Sequence, residues 1–427
     1  MQNKVKKTTA ANKKKKQGRF QTLLANVRKN RLGKGLMRHF EWPTALIVLA
    51  LSLFGVLAIY AATSTPVEEG VEYSFLEMLQ LQPFSYARLQ LMWIGAGIIA
   101  LTGVIFFDYQ LYGDFKNFFY WGNVMLLIAV KLLSSAGRGG MNGWFQWGSG
   151  RTFQPSEFGK IAIIIALAKL FADREKPITK IGELFRVGCY VALPLALVVI
   201  QPDVGTALVY VAIFAGMLFA SGTDRKILIG IISIIILMLV PAWYIMENSD
   251  NFRVDRIQVW LDPTYAPMGA GMQTTNGRIA VGSGGLWGKG MFAVGNFAAL
   301  NYVPDDHTDF IFAIVCETFG MVGAGLMILL FLAMMVRMVM LSMRAQDAFG
   351  SYIIIGVMSM MLFHVFENIG MVIGLMPVTG IPLPFISYGG SNYITNIAGI
   401  GLVINVAMRS KAGQAHAPRH IKKPIQL

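Results

Sequence analysis

The sequence predicts an all-α integral membrane protein of about ten transmembrane helices, with a large extracytoplasmic loop between helices 7 and 8. Three observations carry that prediction. Of 427 residues, 55% are hydrophobic and only 14% charged, with a mean hydropathy of +0.55; soluble domains carry about a quarter charged residues. Apolar runs recur at the length a bilayer demands, roughly 20 residues each. Strand alternation of the outer-membrane type is absent, and backbone polar groups cannot stay unpaired in hydrocarbon, so the runs must be helices.

In chain order the expected spans are 43–62, 87–107, 117–133, 157–172, 187–201, 204–221, 226–247, 309–336, 351–375 and 392–408. The segments 157–172 and 187–201 are short for a span. Ahead of them runs a basic tail: thirteen of the 37 Lys and Arg precede Glu41, the first acidic residue, and Lys13, Lys14, Lys15 and Lys16 are consecutive. Its start lacks apolar periodicity and reads as disordered. The formal charge of +14 would suggest a nucleic-acid partner, but its position before a first membrane helix argues for anionic membrane lipid instead, with no nucleic acid. The basic region is too long, and the apolar run too complete, for a cleaved signal peptide. The chain thus divides into a basic cytoplasmic tail (1–40), a transmembrane domain (41–408) and a basic cytoplasmic C-terminal tail (409–427). Cys189 and Cys316 lie in or beside apolar runs and read as packing residues; neither a disulfide framework nor a metal-ligand spacing is present.

Charge in the loops sets orientation. With the N-terminus in the cytoplasm, Asp173-Arg174-Glu175-Lys176, Arg225, Lys226, Arg337, Arg344, Arg409, Lys411, Lys422 and Lys423 all fall inside. The acidic 63–86 loop, with Glu68, Glu69, Glu72 and Glu77, falls outside. Lys131, Arg138 and Arg151 run against the rule. Both termini are then cytoplasmic. The outer face receives a Gly- and Trp-rich loop (134–156), the long 248–308 loop, and a Pro/Gly segment (376–391) with Pro377, Pro382, Pro384, Gly389 and Gly390. Long loops on one face of a rigid bundle make that face the candidate working face.

Four groups of residues could carry chemistry. Gln154-Pro155-Ser156-Glu157-Phe158-Gly159-Lys160 opens the fourth span, with Ser156 as the expected N-cap and Pro155 just outside the helix. Glu157 and Lys160 then share one helical face; they are either an interfacial ion pair or a functional one. Asp305-Asp306-His307-Thr308-Asp309 sits at the mouth of the eighth span. An aspartate there can be desolvated into a general base, or can simply favour the positive end of the helix dipole. Gly282-Ser283-Gly284-Gly285-Leu286-Trp287-Gly288-Lys289-Gly290 fails the Walker pattern. Its glycines let the loop fold closely, with Lys289 or Arg278 near an anionic headgroup. His364, Glu367 and Asn368 share a face of the ninth span that must look into the bundle or a wet cavity; interhelical hydrogen bonding is the simpler role.

Four separated motifs now stand in order: Gln154-Pro-Ser-Glu-Phe-Gly-Lys160, Gln201-Pro-Asp-Val-Gly-Thr206, His307-Thr-Asp-Phe-Ile-Phe-Ala313 and Pro382-Leu-Pro-Phe-Ile-Ser-Tyr-Gly-Gly-Ser391. Together they resemble the SEDS family (shape, elongation, division and sporulation) over roughly 43–408. Ile279-Ala-Val-Gly-Ser-Gly-Gly-Leu-Trp-Gly-Lys-Gly290 and Pro377-Val-Thr-Gly-Ile-Pro-Leu-Pro384 resemble its RodA branch more than its FtsW branch. The resemblance implies a peptidoglycan glycosyltransferase of the cytoplasmic membrane. Such an enzyme polymerises lipid II during elongation, releases undecaprenyl pyrophosphate and works beside a class B penicillin-binding protein. It further implies Asp309 as the catalytic residue, Glu157, Lys160, Arg278, His307, Ser387 and Tyr388 as substrate-binding residues, and a divalent cation (Mg2+ or Mn2+) associated with activity near Asp309. Three positions depart from the pattern: Gly143 stands where an arginine is usual, Asn276-Gly277 replaces Gln-Ser, and Asp305 replaces Glu. The competing classes are a lipid II flippase or transporter, which Pro/Gly-broken helices and intramembrane charge also suit, and a non-catalytic scaffold of the elongation or division machinery.

Overall fold

In a computed structural model of the chain, the described residues are 36–64, 77, 83–133, 143–147, 151–174, 176–230, 233, 252–262, 265, 270–293, 295–297, 300, 302–303 and 306–416. They form twelve helices and one hairpin. After a 3-10 turn (Leu36–His39) come α1 (Trp42–Ala62), α2 (Ser85–Phe106), α3 (Tyr109–Asp114), α4 (Lys116–Leu133), strands β1 (Phe145–Trp147) and β2 (Arg151–Phe153), α5 (Pro155–Ala172), α6 (Ile181–Ile200) and α7 (Val204–Ala220). Then follow α8 (Phe252–Leu261), α9 (Ala270–Ser283), α10 (Ile311–Met343), α11 (Ala348–Ile373) and α12 (Gly390–His416).

The membrane prediction holds. Six of these helices are long and apolar enough to cross a bilayer, and α7 is a shorter apolar one. With α4 and α5, nine of the ten expected spans correspond to described helices. The seventh, 226–247, lies mostly outside the described residues, as do most of the basic tails, Arg138, Asp305 and residues 65–76 and 78–82 of the acidic loop. Two local expectations change. The 134–156 loop contains an antiparallel hairpin pairing Phe145 with Phe153. Cys316 is buried in the core as expected, whereas Cys189 is on the exposed face of α6.

Lipid is as apolar as leucine, so helix association inside a membrane relies on close packing and polar contacts rather than on hydrophobic exclusion. Both are visible. Gly55 of α1 lies against the Phe385 and Ile386 backbone, where a methyl group would collide. Polar joints lie at the two ends of the bundle. At one end, Glu41 is fully buried and takes ion pairs from Arg337 (2.5 Å) on α10 and from Lys411 on α12. Nearby, Asp347 caps α11 by accepting from Gly350 N (2.8 Å) and also takes Gln110 Nε2 (2.7 Å) and the Tyr109 hydroxyl. Burial, reinforced by that carboxylate, pushes the Tyr109 hydroxyl far above the usual phenol range. Asp309 belongs to the opposite end.

The long segment before Asp309 is more than an outer loop. α10 breaks at Gly320, whose φ of 65° suits glycine. In lipid the backbone groups freed by such a break need partners. The Gly284–Gly290 stretch supplies them: Lys289 N and Gly290 N donate to the Glu317 and Thr318 carbonyls (2.8 and 3.1 Å). In return, Met321 N and Val322 N donate to the Gly285 and Leu286 carbonyls (2.9 and 3.1 Å). Glu317, fully buried, is neutralised by Lys289 Nζ at 2.8 Å and also accepts Phe297 N. Lys289 is therefore committed to Glu317, which corrects its expected place near an anionic headgroup.

Candidate functional site

Two chain segments meet to form the floor of the site. Ser387 Oγ donates to the Thr308 carbonyl (2.6 Å) and accepts Leu383 N (2.8 Å), while Tyr388 N donates to the His307 carbonyl (2.9 Å). Ser387 thus spends its hydroxyl on joining the 382–391 motif to the 307–313 motif. The floor is sunk into the bundle. It rests on Gly55, seven residues inside the end of α1, and on Trp93, which packs against Gly390 eight residues into α2. At 1.5 Å per helical residue, that is about 10–12 Å below the helix ends.

Asp309 is half-buried on this floor, one residue ahead of Phe310, the N-cap of α10. Its carbonyl accepts Asn368 Nδ2 at 2.8 Å, and its Oδ2 lies 3.3 Å from where a Cβ on Gly380 would stand. The same Asn368 nitrogen reaches the Ile381 carbonyl at 2.8 Å. His307 sits toward the rim. Its ring packs with Tyr86 (4.8 Å between centroids) and Tyr388 (5.8 Å), and its N and Nδ1 both lie on Asp306 Oδ1 (2.6 and 3.1 Å). Arg278 comes from α9, and its guanidinium packs on Gly374 at the carboxyl end of α11, where exposed carbonyls favour a cation.

Behind the floor lies a sealed polar network. Lys160 Nζ donates to Glu157 Oε1 at 2.7 Å and lies 3.1 Å from His364 Nε2; Asn392 Nδ2 donates to Glu157 Oε2 at 3.2 Å. Lys160 is fully buried and Glu157 nearly so. An ammonium offers only donors, so Nε2 must present its lone pair, and His364 carries its proton on Nδ1, facing the Pro382 carbonyl at 3.3 Å. The shared helical face expected for Glu157 and Lys160 is thus present, but in this conformation both stand within the wall rather than on its surface.

The start of α5 also differs from expectation. The cap position is Gln154, with Pro155 as the first helical residue and no side-chain cap. Ser156 instead donates to Asp203 Oδ2 (3.2 Å), which also takes Gln154 Nε2 (2.8 Å) while Asp203 Oδ1 caps α7 at Thr206 N (3.0 Å). Proline suits the first helical position, where its missing N–H would have no intrahelical partner, so the helix starts one residue before Ser156. Gly143, where an arginine was expected, is buried 3.4 Å (from its notional Cβ) from Gln201 Oε1. Sequence reasoning missed Asp203, Asn392, Tyr86 and Gly380; Asp203 and Gly380 had a signal, their places within the Gln201–Thr206 and Pro377–Pro384 motifs. Among the described residues no group of three or more His, Cys, Asp or Glu forms a metal site. One carboxylate with a substrate diphosphate could share a Mg2+ ion, but the described residues do not build its site alone.

Comparison with known proteins agrees with this architecture. Residues 42–412 match the family model for FtsW, RodA and SpoVE, described as cell cycle protein. Stage V sporulation protein E of Bacillus subtilis is 34% identical over 375 residues, covering 86% of this chain and 96% of that protein. The peptidoglycan glycosyltransferase MrdB of Escherichia coli is 31% identical over 374 residues (87% and 95%), and the probable peptidoglycan glycosyltransferase FtsW of Bacillus subtilis is 29% identical over 406 (91% and 97%). Among solved structures, a chain of a peptidoglycan synthase complex aligns with a TM-score of 0.70 at 24% identity (86% and 97% covered). Thermus thermophilus RodA aligns with a TM-score of 0.62 at 24% identity (86% and 96%). These two share the fold.

Proposed function

We propose, from the premise that this chain belongs to the FtsW/RodA/SpoVE family, that it is a peptidoglycan glycosyltransferase polymerising lipid II in the cytoplasmic membrane during cell elongation. The chain matches nearly the whole length of relatives that carry that activity in their names. The observation that carries the reading onto this chain's own atoms is Asp309: a half-buried carboxylate on a floor about 10–12 Å below the helix ends, bordered by the motif segments.

A recessed floor suits substrates whose polyprenyl tails stay in the bilayer while their sugars meet the chain. Asp309 takes the proton from the 4-hydroxyl of an acceptor N-acetylglucosamine. That oxygen attacks the anomeric carbon of the donor N-acetylmuramic acid, and the bond to undecaprenyl pyrophosphate breaks with inversion. One positioned base serves a single displacement and contributes about 10²–10⁴-fold. The departing diphosphate needs positive charge; Arg278, packed on the end of α11, is the partly exposed cation of the two, while Lys160 reaches it only if the sealed network opens. His307, Tyr388 and Tyr86 form a cluster of tilted and edge-on rings at the rim that could meet sugar faces. Both chain ends lie in the cytoplasm, where their basic residues beyond the helices meet anionic lipid, and the partner is a class B penicillin-binding protein.

The test uses purified full-length chain with that partner and fluorescent lipid II. Wild type is expected to give glycan ladders, and Asp309→Ala to lose them by at least about 100-fold while keeping its melting temperature. Ladders that survive the substitution would overturn the assignment. Lipid scrambling without ladders would make the chain a transporter.

A further inference from the structure

We propose that Asn368, with Glu367 beside it, positions the Asp309 carboxylate by clamping the Thr379–Ile381 turn so that Gly380 walls one side of the slot where that carboxylate works. The proposal rests on reading Asp309 as the base, and it concerns residues one helix away from the chemistry.

Asn368 is fully buried in α11. Its Nδ2 has two hydrogens, and both are spent, on the Asp309 and Ile381 carbonyls at 2.8 Å each. Only the amino end of an amide can meet two carbonyl oxygens, so the side chain's orientation is determined. Glu367, also buried, accepts the Thr379 hydroxyl at 3.0 Å. Consecutive residues of one helix therefore hold the residues on either side of Gly380. At Gly380 the backbone adopts a φ of 75°, and a Cβ there would stand 3.3 Å from Asp309 Oδ2. A side chain would strain the turn and press on the carboxylate; glycine leaves both undisturbed. The Asn368 bonds tie the two walls of the slot to each other as well as to α11. Glu367 Oε2 has no hydrogen-bond partner among the described residues, so only one of its oxygens is used, and a neutral amide would hold Thr379 equally well.

Mispositioning a reacting group by about 1 Å costs about 10²-fold, and it should fall on turnover rather than binding. The experiment measures lipid II polymerisation by the full-length chain with its penicillin-binding partner. Asn368→Asp keeps size but replaces the nitrogen and its two N–H donors with one carboxylate oxygen facing two carbonyls; kcat is expected to fall about 100-fold with KM within about threefold. Glu367→Ala should lose about tenfold in kcat, and Glu367→Gln should restore it to within about threefold of wild type. Gly380→Ala, which leaves α11 intact, should match Asn368→Asp and keeps the test open if the latter does not fold. The proposal fails if Asn368→Asp or Gly380→Ala stays within threefold of wild type, if their losses fall on KM, or if Glu367→Gln is as impaired as Glu367→Ala. Failure of the base assignment is separate: there Asp309→Ala itself remains active.

Discussion

Helix α5 carries a lysine–carboxylate pair at each end, and the two pairs have opposite surroundings. Lys160 and Glu157 are 2.7 Å apart with side chains 1% and 5% exposed. Lys169 and Asp173 are 2.9 Å apart, but 29% and 50% exposed. The first pair is completed by His364 and Asn392 from two other helices; the second shares Asp173 with Lys116 at 3.5 Å and is otherwise wet. A surface pair contributes little, because water already solvates both charges. A sealed pair costs desolvation on both sides and is stabilising only while every partner remains. The Glu157 end of α5 is therefore specified by mutual dependence, and its Asp173 end by charges that can be exchanged more freely.

The sharpest way to break this contrast is to remove one partner. Lys160→Met should leave Glu157 charged and sealed, costing about 3–5 kcal/mol, seen as a large drop in detergent melting temperature and membrane yield. Adding Glu157→Gln should restore most of that loss; equal melting of the single and double variants would mean the pair is not coupled. Next in size is Gly320→Ala. A methyl group there meets the Trp287 and Gly288 backbone at positive φ, and strain of about 1–3 kcal/mol is expected. Unchanged melting would show that the Gly284–Gly290 stretch moves aside easily. Smallest is Asp173→Asn, expected to cost about 0.2–1 kcal/mol and to vanish at high salt. A loss comparable with that of Lys160→Met would erase the distinction between the ends.

How far the sequence reached depended on the range of the interaction involved. Glu157 and Lys160 are three residues apart, so helical periodicity placed them together. The grouping of His364, Glu367 and Asn368 on one buried face followed from the same rule. Their partners did not, because Pro382, Thr379, Ile381, Asp309 and Lys160 arrive from elsewhere in the chain. The expected cap at Ser156 failed because the helix already begins at Pro155, and the Ser156 hydroxyl instead donates to Asp203, forty-seven residues on. Lys289 was read from its glycine-rich neighbourhood, whereas its environment is set by Glu317.

By itself the sequence determined that this chain lies in a membrane, where its spans fall, which residues share helical faces and which motifs carry the family likeness. Those features rest on composition and on periodicities of a few residues, which the backbone imposes locally. Only the tertiary structure decided that Lys160 is sealed, that the Gly284–Gly290 stretch repairs a broken helix, and that Asn368 and Gly380 flank Asp309. In a low-dielectric interior a polar group must find its partner wherever the chain brings one, and that choice is made by packing rather than by spacing.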